Sequence, residues 1–183
     1  MPTFNFADNF SELERRAYRR ACHLISRELG VEKRDATINV MRTDIGWQNK
    51  ALINQIADDH FVLIINNDLS PCEVVYSLGH ELIHFWQYVR GDLVDVPDKK
   101  LIIWKGEQFE PVDSMLDPEG YVNQPWEAEA FEIHLNLFYR VTVQMPLEER
   151  QALSKEFEAK DHPNELIQLL QVLAENSEVI IIM

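Results

Sequence analysis

The run His80-Glu81-Leu82-Ile83-His84 puts two imidazoles and a carboxylate within one and a half helical turns. On a helix, positions i and i+4 share a face, so His80 and His84 point the same way. Two imidazoles so placed can both reach one Zn²⁺ at ~2.0–2.1 Å. Glu81 sits beside the first ligand and reaches a metal-bound water without ligating. The metal makes that water acidic, and the carboxylate takes its proton as general base. The expected chemistry is attack of that water on a peptide carbonyl, in a peptide or protein substrate. Leu78, Leu82, Ile83, Phe85 and Trp86 flank the motif and are uncharged, as a buried helix holding a site requires. The rival reading is a zinc-binding interaction or regulatory protein without turnover. Glu81 would then have no role, and structural zinc sites normally close with four ligands rich in cysteine.

A catalytic zinc keeps three protein ligands and an open fourth position. Gln87-Tyr88-Val89-Arg90 follows the second histidine, so the Gly and His spacing of a metzincin is absent. The next candidate region is Trp126 to His134, where Glu127 lies 43 residues (127 minus 84) beyond His84. Glu127, Glu129 and His134 are candidate third ligands there, and Glu132 reads as a surface charge. Tyr121 and His134 are candidate donors to the oxyanion formed during attack.

Pro125-Trp126-Glu127-Ala128-Glu129-Ala130 resembles the glutamate zincins, in which a helical Glu-x-x-Ala follows His-Glu-x-x-His. It is similar to proteins of the HtpX and ImmA/IrrE types and to small, phage-encoded, SprT-like predicted peptidases. The resemblance is carried by motifs and covers residues 61–140. It implies that Glu127 completes a set with His80 and His84, and that Ala130 lets two helices approach closely. It also implies a minimal zincin-like metallopeptidase core and, for a phage protein, the host cytoplasm. Glu129 stays an alternative ligand, as does His134, because SprT-like proteins use a histidine. Several of these families place Asp or Asn four residues after the ligand Glu. Here that position is Phe131, so support for the ligand histidines must come from elsewhere.

The elements that hold these residues are readable from caps and periodicity. Ser70, Pro71 and Glu73 combine an N-cap, a proline at the first helical position and a capping-box acid. They predict a helix over residues 71–90, stopped by Gly91. Ser11 with Glu14 predicts another over 11–29. Strands are expected over 36–41, 50–57 and 61–65, the last apolar and mostly branched. It is expected as an edge to which an extended peptide adds by main-chain pairing. Residues 91–124 are polar and acidic, a flap or a plain surface excursion, with a hairpin of 101–104 and 108–112 around Lys105-Gly106. Helices follow over 125–139, 147–160 and 164–175, and the apolar tail 179–182 reads as a docked strand or packed end.

The fold class expected is α+β, a small, mainly antiparallel, twisted sheet packed on helices. The expectation is one domain over 1–183, with the metal-site core at about 61–140 and a helical part at about 146–183. The net charge of -14 opposes nucleic-acid binding, which needs clustered cations. Arg15, Arg16, Arg19 and Arg20 are interleaved with Glu12 and Glu14 and read as a solvated helix face. No apolar run approaches the ~20 residues of a membrane span. Two cysteines, Cys22 and Cys72, are too few for a disulfide framework, so a cytoplasmic protein with buried thiols is expected. His23, His60 and His162 lack partners at ligand spacing. Trp86, Trp104 and Trp126 read as core or cleft walls.

Overall fold

Two helices begin on the same device. Ser11 opens α1 (Glu12–Glu28) and Ser70 opens α2 (Pro71–Arg90). In each, the serine hydroxyl accepts from the backbone N–H three residues on, and that residue's carboxylate accepts from the serine N–H. Each box satisfies two donors that a helix start leaves orphaned, and losing the serine costs about 0.5–2 kcal/mol. At its far end α2 stops where Gly91 takes φ 74, a left-handed conformation that glycine adopts without a side-chain clash.

The computed structural model describes residues 1–46 and 49–154. Its larger sheet runs in the order β1 (Thr3–Phe6), β2 (Thr37–Thr43), β4 (His60–Asn66), β3 (Ala51–Ala57). β1 and β4 lie parallel to β2, while β3 returns antiparallel beside β4. Apolar residues of this sheet, Phe4, Ile38, Val40, Leu63 and Ile65 among them, form one core with α1, α2 and α4 (Pro125–Gln144). Phe61 meets Phe85 of α2 edge to face at 4.9 Å. From α4, Ala130, Leu137, Phe138 and Val141 enter the same core. α5 (Leu147–Ser154) follows, tied to α1 by Arg20 and Glu149 at 3.1 Å.

A second sheet sits between α2 and α4 in the chain: β5 (Leu93–Val96), β6 (Leu101–Trp104) and β7 (Glu107–Phe109), all antiparallel. Lys105 and Gly106 join β6 to β7 with φ of 50 and 89, the double positive φ of a tight hairpin turn. Leu93, Trp104 and Trp126 form a small separate core beneath it. A short helix, α3 (Pro118–Val122), leads into α4.

The fold is α+β, with helices packed on sheets. Several particulars differ from the sequence reading. The single, mainly antiparallel sheet is two sheets, and the larger one is mixed. β4 is an interior strand, so the edge beside it is β3. β4 is paired on both sides, and its alternate residues Phe61, Leu63 and Ile65 are buried in the core while Val62 and Ile64 are half-buried on the other face. β1, β5 and α3 were not anticipated, and α4 runs to Gln144 rather than ending near Tyr139. The end of the helix expected over 147–160, the helix 164–175, the tail 179–182 and His162 lie outside the described residues. Cys22 and Cys72 are buried and unbridged. Among the described residues, no helix is long and apolar enough to cross a membrane.

Candidate metal centre

His80 and His84 stand one turn apart on α2, and Glu127 occupies the first turn of α4. Ala130, one turn beyond Glu127 and fully buried, keeps the contact between the two helices free of bulk. Three donors meet at that contact. His80 Nε2 lies 3.2 Å from Glu127 Oε2, His84 Nε2 lies 3.4 Å from Glu127 Oε1, and the two Nε2 atoms are 3.2 Å apart. His84 and Glu127 are buried and His80 is half-buried.

The protonation of His84 follows from its neighbour. Gln87 donates through Nε2 to the Trp126 carbonyl at 2.9 Å and to Glu129 Oε2 at 3.0 Å. Both partners are acceptors, so the amide oxygen must face the other way, and it lies 2.8 Å from His84 Nδ1. Nδ1 therefore carries a proton, and Nε2 is the nitrogen directed at His80 and Glu127. Two imidazole nitrogens and a carboxylate converging in this way repel unless a cation lies among them. A proton satisfies one pair at a time, whereas a metal ion satisfies all three.

The pKa shifts express the same crowding. Burial works to depress His84, but the hydrogen bond and charge of Glu127 outweigh it and raise it. Burial pushes Glu127 up, and His80 and His84 more than reverse that, holding it ionised. Glu81 is buried at 6% exposure, and burial raises its pKa against the opposing charges of His80 and His84. The Ile53 backbone N–H hydrogen-bonds its carboxylate.

That last contact defines an open edge. Main-chain groups leave a strand on alternate sides. The Lys50 carbonyl accepts from Asn66 N at 2.9 Å on the β4 side, and the Ile53 N–H points the other way, to Glu81. Ala51 therefore presents its N–H and C=O outward with Ile53. Hollows lie on either side of Glu81 and Tyr121, of about 190 Å³ toward Lys50, Tyr76 and His134 and about 220 Å³ toward Tyr88, Asp95 and Trp126. Ala51 lines both, so β3 runs the length of the cleft.

No family model, curated protein or solved structure matches the chain. The donor geometry thus stands on its own: His80, His84 and Glu127 form a group able to hold a metal ion.

The other candidates fall outside that group. Glu129 is taken up by Gln87, by Arg90 at 3.0 Å and by Lys105 at 3.1 Å. His134 lies with its ring centroid 4.1 Å from Tyr76 and 5.5 Å from His80, lining the smaller hollow. Burial, then the charge of His80, lowers its pKa to about 4. Tyr121 donates its hydroxyl to Glu127 Oε1 at 2.9 Å. Glu132 is exposed, as expected. His60 and His23 stand apart, and His23 packs edge-on against Phe4. The arginines of α1 line a groove of about 1030 Å³ away from the centre, with Arg15 facing Asp8 and Arg20 facing Glu149. Gln87 was missed from the sequence. It sits three residues after His84, on the same helix face, and supplies the support that Phe131 cannot.

Proposed function

We propose that the chain is a zinc metallopeptidase in which His80, His84 and Glu127 hold the ion and Glu81 is the general base. The observation that carries this reading is the convergence of the donors: the two Nε2 atoms lie 3.2 Å apart, and each lies 3.2 or 3.4 Å from one of the two Glu127 oxygens. Tetrahedral bonds of ~2.0–2.1 Å set donor atoms roughly 3.3 Å apart. Two histidines and one glutamate leave a fourth position open, as in catalytic rather than structural sites. The cysteines, which structural sites favour, are packed in the main core instead. Zinc bound there supplies a Lewis acid that polarises a carbonyl and acidifies a water.

The rest is the work of the chain's own groups. Glu81 is dry and oriented by the Ile53 N–H, and its raised pKa brings it closer to the operating range of a base. The outward main-chain groups of Ala51 and the Ile53 carbonyl suit an extended peptide laid along β3, held by strand addition. His134 lines the hollow beside Glu81 and is the candidate donor to developing negative charge, whereas the one hydroxyl proton of Tyr121 is given to Glu127.

The test is Glu81→Gln, which keeps the size and removes the base. The variant is expected to retain one zinc per chain and its fold. Its cleavage of a proteome-derived peptide mixture, read by mass spectrometry, is expected to fall by ~10²–10⁴-fold. Equal cleavage by both proteins would remove the peptidase reading. If neither cleaves and both retain the same partner, the interaction module takes its place.

A further inference from the structure

We propose that the hollow on the Tyr88 side of the centre receives a lysine or arginine side chain flanking the bond to be cut, with Asp95 selecting it. The proposal rests on the peptidase reading and deepens it to a substrate class. Tyr88 follows His84 by one turn, as His84 follows His80, so a single stripe of α2 passes from the metal centre into this hollow. Its hydroxyl donates to Asp95 Oδ2 at 2.6 Å. On β5, Leu93 and Asp95 share a face by strand alternation, and Asp95 stands opposite Ile102 of β6. The walls include Tyr88, Leu93, Ile102 and Trp126 beside polar Asn54 and Gln124, with the half-buried Asp95 carboxylate among them.

Charge decides what fits. The hollow of about 220 Å³ is lined by Glu81, Asp95, Glu127 and His84 and by no lysine or arginine. Glu127 is engaged by His80, His84 and Tyr121. Among the described residues, Asp95 has no cationic partner; its hydrogen bond comes from the neutral Tyr88 hydroxyl. One donor leaves most of a carboxylate's acceptor sites free. A lysine or arginine matches this arrangement in both parts: its methylene stem lies along apolar walls and its head reaches the carboxylate. An acidic side chain meets the Asp95 carboxylate, which no cation among the described residues offsets, and is rejected. The hollow on the other side of Glu81 is different, since Lys50 lines it, 3.8 Å from Glu73.

Three blocked alanine pentapeptides, with lysine, norleucine or glutamate at the centre, test this. Binding is read by tryptophan fluorescence on metal-free protein, which does not turn over, and cleavage is read separately on zinc-loaded protein. The lysine peptide is expected to bind about tenfold more tightly than norleucine, and glutamate most weakly. Asp95→Asn is expected to erase the difference between lysine and norleucine. Asp95→Lys is expected to reverse the order in favour of glutamate, a gain that a damaged fold cannot produce. Tyr88→Phe, which removes the hydroxyl and leaves the charge, is expected to keep the lysine preference. Equal binding of the three peptides, or a lysine preference that survives Asp95→Asn, overturns the proposal. Because binding is read without metal, a failure of the peptidase reading shows only in the cleavage arm.

Discussion

The Tyr121 hydroxyl donates to Glu127 Oε1 at 2.9 Å, from α3 to the first turn of α4. The carboxylate proposed as the third metal ligand is thereby oriented by the segment that precedes its own helix. Outer partners of this kind typically account for 10–100-fold of metal affinity. Tyr121→Phe is expected to weaken zinc binding by about that factor in a chelator competition, with the circular dichroism unchanged. Unaltered affinity would mean that Tyr121 does not support the ligand.

The two neighbouring acids of α4 are expected to separate cleanly. Glu127→Gln removes a charged ligand and is expected to abolish stoichiometric zinc, measured by metal analysis after dialysis. Glu129→Gln touches only the Gln87, Arg90 and Lys105 contacts and is expected to keep the ion. Zinc lost from the second variant and retained by the first would transfer the ligand role to Glu129.

Zinc uptake is expected to release a proton. In the metal-free protein His84 is raised from 6.5 to about 9, burial being outweighed by Glu127. The ion needs the Nε2 lone pair, so below pH 9 affinity is expected to rise about tenfold per pH unit. The sign for stability follows from the raised pKa: the stabilising proton is fully present below pH 6.5 and lost as pH climbs through 9. Metal-free protein is expected to lose stability across that window, on the order of 3 kcal/mol at most. Zinc-loaded protein is expected to hold its Tm there, since the ion replaces the proton. Parallel Tm curves with and without metal would contradict the coupling.

Phe85 is fully buried on the motif helix and packs edge to face on Phe61. Phe85→Ala is expected to cost about 3–5 kcal/mol in chemical denaturation. Zinc at a hundred times its Kd is expected to return about 2.7 kcal/mol if it binds only the folded chain. A loss below 1 kcal/mol would show that the helix does not depend on this contact.

What could be read from the sequence was local. α2 was bounded correctly at both ends because Ser70, Pro71, Glu73 and Gly91 act within one turn of themselves. His80 and His84 meet because helical spacing alone makes them meet. β1 escaped notice because Thr3–Phe6 is only four residues long and pairs with residues 34 positions away. β5 is equally short, and its Asp95 breaks the apolar pattern. β4 was legible as a strand but misplaced in the sheet, since an edge and an interior strand differ in their partners and not in their propensity. Glu127 depended on a motif resemblance, because nothing nearby in the sequence says that α4 begins against α2. The role of Gln87 needed only the observation that three residues on is also the same face.

Gln87 has no exposed surface, and its amide joins His84 to the Trp126 carbonyl and the Glu129 carboxylate. Glu129 in turn grips Lys105 at the tip of the β6–β7 turn. The hairpin and the proposed metal position are therefore two ends of one lever with a single buried fulcrum. Linkage makes the lever work equally in both directions. Whatever free energy the ion lends to keeping the hairpin down, prising the hairpin up takes back from the grip on the ion.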